Sequence, residues 1–332
     1  MSIILWGITL LIELSITYVH FFSGLANPLT DLIASIPNLF FALFFIFNLF
    51  IISVSKLELK ILFYLKCLIL IFIYLYAYLL FAKNTIITTN TSHNVILANH
   101  NFNNPVICSQ NTKHAQAINN PDFYRTLRIY NCNIILLQEV ENSALKVYLI
   151  KQNLKKFLHK NYSVQTYGEF VTASIFPFKK LYFSSSNGFV VNLFNLKNRK
   201  IIIINTHIWT PLKKQTPEFN PNLNFPVPPF FIRKKQTTEL TQYLQLITET
   251  PTLLIGDFNM LPTHSFLTRN LANFNFYRVK SKKFITPTFS TSIPIIEIDH
   301  TFTNNPYLIK SRNTILNQYS DHALQIIKLN FN

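Results

Sequence analysis

Residues 251–263 read PTLLIGDFNMLPT, and this stretch decides how the rest of the chain is interpreted. An apolar run ends at Gly256, and Asp257 and Asn259 follow two positions apart. On a strand, residues i and i+2 point to the same face of the sheet. The pattern therefore predicts a shared site at the carboxyl end of a buried strand. The alternative is a solvated turn, because Gly, Asp and Asn are ordinary turn residues.

Polar residues end other predicted strands in the same way. Singly, each has an ordinary explanation, since strand ends meet solvent. Their joint occurrence indicates one constellation of catalytic or metal-binding side chains. The residues are Asn99 and Asn101 in LANHN, Gln138 and Glu139 in LLQEVE, Asn205 and His207 in INTHIW, Asp299 and His300 in IDHTF, and Ser320, Asp321 and His322 in YSDHAL.

The chain after Lys83 alternates short apolar runs with polar loops and a few helical patterns. The apolar runs predict strands at 94–99, 133–139, 163–170, 171–176, 188–194, 200–208, 252–258, 297–304 and 323–331. Helices are predicted at 120–131, 142–160 and 234–249, with a long Pro- and Asn-rich loop at 211–231. Mixed strands with intervening helices predict one α+β layered sandwich.

The amino-terminal part has a different character. Apolar stretches at 3–22, 32–54 and 59–82 are each long enough to cross a bilayer as a helix. Residues 1–83 are therefore predicted to be a membrane segment with about three transmembrane helices, and not a cleavable signal. Lys56 and Lys60 between the second and third spans place that link in the cytoplasm. The protein is then an integral, multi-pass membrane protein whose soluble domain lies outside the cytoplasm.

Charge and cysteine content limit the classes of binding partner and of metal site that the chain is expected to have. The net charge is +16, and all of the excess lies in residues 83–332. Such a domain suggests a polyanionic partner, which is nucleic acid, an anionic lipid surface or a phosphorylated substrate. A coding bias toward lysine is the alternative. Cys108 and Cys132 are able to pair only in an oxidising compartment, and the absence of C-x-x-C argues against a cysteine zinc site.

The ordered set LANHN, ILLQEVE, INTHIW, LIGDFNMLP, IDHTF and SDH resembles the endonuclease/exonuclease/phosphatase superfamily, the DNase-I-like metal-dependent phosphodiesterases. The membrane segment and the IDHTF…SDH ending look most like its bacterial membrane-anchored branch. The resemblance implies a four-layered α/β sandwich over residues 90–332, with the site at one edge of two packed sheets.

The resemblance also implies roles for the strand-end residues. His322 would be general base or phosphate contact, with Asp299 fixing its tautomer, and Asp257 would orient water. Tyr167 and Arg233 are further candidates for contacts with substrate. Metal ligands would be Glu139, Asn99, Asp321 and Asp257, holding Mg²⁺ with Mn²⁺ or Ca²⁺ as alternatives. Contacts to the scissile phosphate would come from His207, Asn205 and Asn259.

The leading hypothesis is a membrane-anchored, Mg²⁺-dependent phosphoesterase of the endonuclease or exonuclease type, acting on phosphodiester or phosphomonoester bonds. A phospholipid or sphingomyelin phosphodiesterase at the membrane surface is the alternative substrate class. A catalytically silent membrane-bound binding protein is the alternative of another kind, although the intact set of polar residues argues against it. The expected partners are a phosphate-ester substrate and the lipid bilayer that surrounds the amino-terminal helices.

Overall fold

A computed structural model describes residues 104–140, 143–211, 229–247, 249–280, 287–289 and 296–331, together with residues 61, 64 and 68 and the backbone of 86–88. The chain divides into two compact units, one comprising Met1–Thr85 and Met260–Asn270, the other Ile86–Asn259 and Leu271–Asn332. In the first unit the structure describes residues 61, 64 and 68 and the segment Met260–Asn270, which ends in a π-helical turn, Phe266–Asn270.

The predicted membrane spans fall almost entirely outside the described residues, and only positions 61, 64 and 68 of the third are seen as helical. Among the residues that are described, no helix has the length and apolar character needed to cross a bilayer. The prediction for residues 1–83 therefore stays a prediction.

The second unit contains two β-sheets. Its strands are β1 (Ile86–Thr88), β2 (Val106–Asn111), β3 (Ile134–Gln138), β4 (Ser163–Tyr167), β5 (Phe170–Ser174), β6 (Phe178–Phe183), β7 (Phe189–Leu196), β8 (Arg199–His207), β9 (Thr252–Asp257), β10 (Tyr277–Lys280), β11 (Asp299–Thr303), β12 (Ile309–Ile315) and β13 (Leu324–Leu329). Sheet A has the order β1-β10-β11-β9-β8-β7-β6, and sheet B has the order β12-β13-β2-β3-β5-β4. Both sheets mix parallel and antiparallel pairs.

Three longer helices flank the sheets: α1 (Pro121–Ile129), α2 (Ala144–Leu158) and α3 (Pro229–Leu246). A short helix, Leu271–Asn273, and two 3₁₀ turns, Ala117–Asn119 and Pro306–Leu308, complete the described elements. The side chains of Asn120 and Ser143 cap α1 and α2 by accepting hydrogen bonds from backbone N–H groups of the first turn.

The buried clusters of the core show which sheets and helices pack against one another. Between the sheets, Ile107 and Leu136 of sheet B belong to one buried cluster with Ile203 and Leu253 of sheet A. The other face of sheet B packs against α1 and α2 in a second buried cluster. On β7 the outward-facing Phe189 contacts Tyr243 of α3, with ring centroids 6.1 Å apart. The layers are therefore helices, sheet B, sheet A and helix, which confirms the α+β sandwich.

A disulfide joins Cys108 on β2 to Cys132, just before β3, with the two Cα atoms 5.8 Å apart. Both cysteines are fully buried in the cluster beneath α1 and α2. The structure thus pairs the two cysteines that the sequence left open.

The predicted elements agree with the structure in most places and fail in a few. The predicted helix at 234–249 was placed too late, because α3 begins at Pro229. The predicted boundary between strands at 170 and 171 was wrong, since a turn at Gly168 and Glu169 separates β4 from β5. The strands β1, β2, β6, β10 and β12 were missed. The predicted strand at 94–99 and most of the predicted loop at 211–231 lie outside the described residues.

Candidate active site

Three acidic or basic side chains form a row across sheet A. Strands β11, β9 and β8 are neighbours, and their register places Asp299 opposite Asp257 and Asp257 opposite His207. All three side chains are buried. Residues in register on adjacent strands lie on one face about 5 Å apart. The fold therefore brings together three residues that are far apart in sequence.

Gly256 is required where the row forms. Its φ is +146°, and a Cβ built on it would lie 2.0 Å from the carbonyl oxygen of Thr206 on β8. No side chain fits between the two parallel strands at this point. The glycine of GDFN is thus explained by the close approach of two backbones.

Asp257 and Asn259 do share one site, but through a turn. Asn259 has φ +48°, so the extended conformation does not continue to it. Its backbone N–H donates to Asp257 Oδ1 at 2.8 Å, and its Nδ2 donates to Asp257 Oδ2 at 3.1 Å and to the Ile208 carbonyl at 2.8 Å. The two interpretations of this stretch are therefore compatible, because the turn itself orients the buried carboxylate.

Sheet B contributes amide side chains that reach across to this row. Asn111 ends β2 and its Nδ2 donates to Asp257 Oδ2 at 3.0 Å. Gln138 ends β3 and donates to Asn205 Oδ1 at 2.5 Å, while Asn205 Nδ2 donates to the Leu137 carbonyl at 3.1 Å. The fully buried amide of Asn205 thus ties the two sheets together. Its bonds do not support the predicted contact with the scissile phosphate.

His322 and Asp299 form a histidine–carboxylate pair. His322 Nδ1 lies 3.0 Å from Asp299 Oδ2, and Nε2 lies 3.7 Å from Asp257 Oδ2. Ser320 holds this segment, since its hydroxyl accepts from the His322 N–H at 3.1 Å and donates to the Asn111 carbonyl at 2.8 Å. The serine and the histidine of SDH therefore have distinct tasks.

His207 forms a second pair. Its Nδ1 lies 2.6 Å from Glu169 Oε1, and its Nε2 lies 3.4 Å from Glu139 Oε1 and 3.9 Å from Asp257 Oδ2. Glu139 follows β3 with φ +55° and keeps 20% of its side chain exposed. Two histidines, each held by its own carboxylate, thus flank Asp257.

Charges shift the pKa values of both histidines upward. Burial opposes the charged ring of His322, but Asp299 and Asp257 outweigh it and raise the pKa to about 10. Burial likewise opposes the charge on His207, and Glu169 and then Asp257 raise its pKa to about 9. The carboxylates beside each ring thus favour its protonated form.

The two central carboxylates respond differently to their surroundings. Burial, reinforced by Asp299 and opposed by His322, raises the pKa of Asp257 to about 6. Burial also disfavours the charge of Glu139, but His207 and a hydrogen bond from Asn111 outweigh it and lower the pKa. Glu139 therefore ionises more readily than an ordinary glutamate, and Asp257 ionises less readily than an ordinary aspartate.

The donor set suits a divalent cation. Asp257, Asp299 and His322 each offer one ligand atom, and these atoms lie within 4.8 Å of one another. The partly exposed carboxylate of Glu139 lies beside them. Carboxylate oxygens with room for water are what Mg²⁺ and Mn²⁺ prefer.

The model of the endonuclease/exonuclease/phosphatase family matches residues 98–322, more than half of the chain. The chain belongs to this family. The comparison with curated proteins found no significant match.

Solved structures share the fold of this family member at low identity. A family protein from Leptotrichia buccalis is 14% identical, with a TM-score of 0.50, over 68% of this chain and 100% of the other. A family protein from Bacteroides thetaiotaomicron is 13% identical, with a TM-score of 0.51, over 69% and 98%. A mannosyl-6-phosphatase from the same organism is 14% identical, with a TM-score of 0.50, over 68% and 100%.

The structure brings together His322, Asp299, His207, Asp257, Asn259 and Glu139 among the predicted site residues. Asp321 lies at the rim, where its carboxylate is 3.5 Å from Lys113 Nζ. Asn99 lies outside the described residues. The predicted contact of Arg233 with substrate was wrong, because this fully buried guanidinium donates to the backbone carbonyls of Trp209 and Asn259.

Sequence reasoning missed Asn111 and Glu169. Asn111 ends VICSQN, which follows the same pattern of an apolar strand with a terminal amide, but LANHN further upstream was chosen instead. Glu169 follows Gly168 in a hairpin turn that was assigned to the last residues of the predicted strand 163–170. The glycine was the available signal for that turn.

Proposed function

We propose that this family member is a divalent-metal-dependent phosphoesterase that hydrolyses phosphodiester bonds, with a nuclease as the favoured type. The observation that carries the proposal is the pair of carboxylate-held histidines on either side of Asp257, with the partly exposed Glu139 beside them. Phosphodiester hydrolysis needs charge stabilisation around the phosphate together with proton transfer, and this arrangement offers both.

Glu139 and Asp257 would hold the metal, for which Mg²⁺ is the proposed ion. A bound divalent cation would neutralise phosphate charge and lower the pKa of a bound water. Asn111 keeps Asp257 oriented by its hydrogen bond to Oδ2. We assign to Asn111 the role that was predicted for Asn99. Asp321 would act from the rim through its contact with Lys113.

The histidines would act on the phosphate and on the water. His322, held by Asp299, would be the general base or a phosphate contact, and His207, held by Glu169, would contact the phosphate from the opposite side. Both hydrogen atoms on Asn259 Nδ2 are used by Asp257 and Ile208. Asn259 would therefore position Asp257, with only its amide oxygen free of those two bonds.

The charge distribution favours a nucleic acid as substrate, because all of the +16 net charge lies in residues 83–332. One observation supports the lipid alternative. On α2, Leu145 is 67% exposed and Tyr148 is 58% exposed. They share a face with Lys151 and Lys155, as expected of a helix that rests on an anionic bilayer.

The decisive experiment offers plasmid DNA, RNA, phospholipid vesicles and sphingomyelin vesicles to the full chain with Mg²⁺ and with chelator. Glu139→Gln and His322→Asn are assayed in parallel. The proposal expects chelator-sensitive cleavage of nucleic acid that both substitutions remove. Selective cleavage of vesicle lipid would instead establish the alternative substrate. Binding of polyanions without turnover of any substrate would favour a catalytically silent binding protein.

We also propose that residues 1–83 anchor the chain in a membrane with the catalytic domain outside the cytoplasm. The buried Cys108–Cys132 disulfide supports this placement, because such bonds persist in oxidising compartments. Thiol labelling of the denatured chain from membranes should find one free thiol of the three cysteines before reduction and three after it. Three free thiols in freshly isolated protein would argue for the cytoplasm, and release from membranes at alkaline pH would argue against the anchor.

A further inference from the structure

The loop that follows β2 has an unusual backbone. Lys113, His114 and Ala115 all have positive φ values, of 48°, 53° and 68°. For residues other than glycine the left-handed region costs about 1–2 kcal/mol per residue. Such conformations persist only where the surrounding structure holds them, and they cluster at functional sites.

The loop is held directly against the metal-binding carboxylate. The Thr112 hydroxyl donates to the Gln138 carbonyl at 2.9 Å. The His114 N–H donates to Glu139 Oε2 at 3.3 Å, and the fully buried Ala115 anchors the loop in the core. The strained turn is thus fixed at both ends beside Glu139.

Two side chains of this turn project at the mouth of the site. Lys113 keeps 44% of its side chain exposed, and its Nζ lies 3.5 Å from Asp321 Oδ2. The His114 side chain is 79% exposed, with Nδ1 3.7 Å from Glu139 Oε2. Neither residue belongs to the two histidine–carboxylate pairs, and both place a basic group at the mouth, where substrate would enter.

We propose that Lys113 and His114 form a subsite for a second phosphate group, adjacent to the scissile one in a polynucleotide strand. This inference rests on the proposed function. An incoming phosphate would replace the Asp321 carboxylate as the partner of the Lys113 ammonium, so that one anion is exchanged for another. The His114 ring would supply a further hydrogen bond. A phosphate ester without a neighbouring phosphate gains nothing from this subsite.

The test compares a short single-stranded DNA with the p-nitrophenyl ester of thymidine 5′-monophosphate, which has no neighbouring phosphate. Lys113→Met removes the charge and keeps the length of the side chain, and His114→Gly keeps the left-handed backbone accessible. Matched controls are Lys310→Met, at an exposed position of β12, and His159→Gly, since His159 is also exposed and left-handed with φ 54°.

The assays use the full chain with Mg²⁺. In Lys113→Met and in His114→Gly, the ratio of kcat/KM for the strand to kcat/KM for the ester should fall about 10-fold. It should stay at the wild-type value in both controls. A ratio that is unchanged in Lys113→Met and His114→Gly would overturn the subsite, even if both substrates were cleaved more slowly.

Binding of the same strand in chelator, followed by fluorescence anisotropy, separates this inference from the proposed function. Each phosphate contact to single-stranded DNA contributes about 0.7 to the slope of log Kobs against log salt concentration. Lys113→Met should reduce the slope by about that amount. If the wild-type protein cleaves neither substrate, the proposed function fails, yet a slope that depends on Lys113 still supports the subsite. Binding that is indifferent to Lys113, or no binding of the strand, overturns it.

Discussion

Asp299 in sheet A and His322, which lies just before a strand of sheet B, meet with the imidazole Nδ1 3.0 Å from the carboxylate Oδ2. Asp299 begins β11 in sheet A, and His322 lies two residues before β13 in sheet B. The pair therefore exists only when the two sheets are stacked correctly. Its geometry is that of a carboxylate that fixes the tautomer and orientation of a histidine.

We expect His322→Asn and Asp299→Asn each to lower kcat by about 10²–10⁴-fold, the usual contribution of acid–base catalysis. The double variant should be little worse than the more damaging single one, because residues that act as a unit are not additive. Steady-state kinetics on the substrate found by the cleavage assay measures this. Losses that multiply in the double variant would show that the two residues act independently.

Gly256→Ala should prevent stable folding. The added Cβ would meet the backbone of Thr206 at 2.0 Å, and backbone of a central strand cannot move aside. Gly168→Ala is the comparison. The backbone there has φ +54°, and the atom nearest to the added Cβ would be the tip of the Phe183 ring, at 2.9 Å, which is side chain and not backbone. We expect Gly168→Ala to cost about 1–2 kcal/mol and to stay soluble. Expression and thermal unfolding of the two variants test this prediction. A folded Gly256→Ala protein would show that the close approach of the Thr206 backbone does not require a glycine.

The sequence alone predicted those features of the fold and of the site that follow from a local pattern of apolar and polar residues. Buried strands that end in polar residues predicted that Asp257, His207 and Asp299 lie at strand ends, and register on adjacent strands then places them side by side. The α+β sandwich followed from the same alternation of apolar runs and helices. These features depend on local pattern, which a single sequence displays.

Cross-sheet relationships could not be obtained in this way. Asn111 becomes a site residue only because sheet B stacks on sheet A and brings its amide to Asp257. For the same reason, the side-chain amide of Asn205 forms hydrogen bonds with Leu137 and Gln138 on the facing strand. Nothing in the local pattern distinguishes an amide that faces substrate from one that joins two sheets.

Acid should destabilise the protein partly through Glu239 on α3. Burial would raise the pKa of this carboxyl, but hydrogen bonds from Ser186, Tyr182, Ser185 and Ser184 outweigh it and lower the pKa to about 2. The folded pKa lies below the unfolded value near 4.5, so the ionised form is favoured by folding. The stabilisation is therefore present above about pH 4.5 and is lost as the pH falls toward 2.

Glu239→Gln should lower the free energy of unfolding at pH 7 by about 1–2 kcal/mol, an amount reduced for partial exposure to solvent. Its unfolding free energy should also fall less steeply than that of the wild type below pH 4.5. Urea unfolding at several pH values measures both effects. If the unfolding free energies of the two proteins fall equally steeply over this acid range, Glu239 does not contribute to the pH dependence of stability.

Arg233 should act as a positioning residue for the site. Its buried Nη1 donates to the carbonyl of Trp209, two residues after His207, and to that of Asn259 at 3.3 Å, two residues after Asp257. One guanidinium thus holds both loops that leave the parallel strands β8 and β9.

Arg233→Met should lower the unfolding free energy by about 1–3 kcal/mol for each carbonyl that loses its donor. We also expect kcat to fall about 10–100-fold below the melting temperature, because small displacements of His207 and Asp257 disturb the reacting geometry. Thr237→Val is the matched control, since this buried hydroxyl donates only to carbonyls of its own helix. Thermal unfolding and steady-state kinetics of both variants separate the two effects. A less stable Arg233→Met protein with wild-type kcat would make Arg233 a structural residue only.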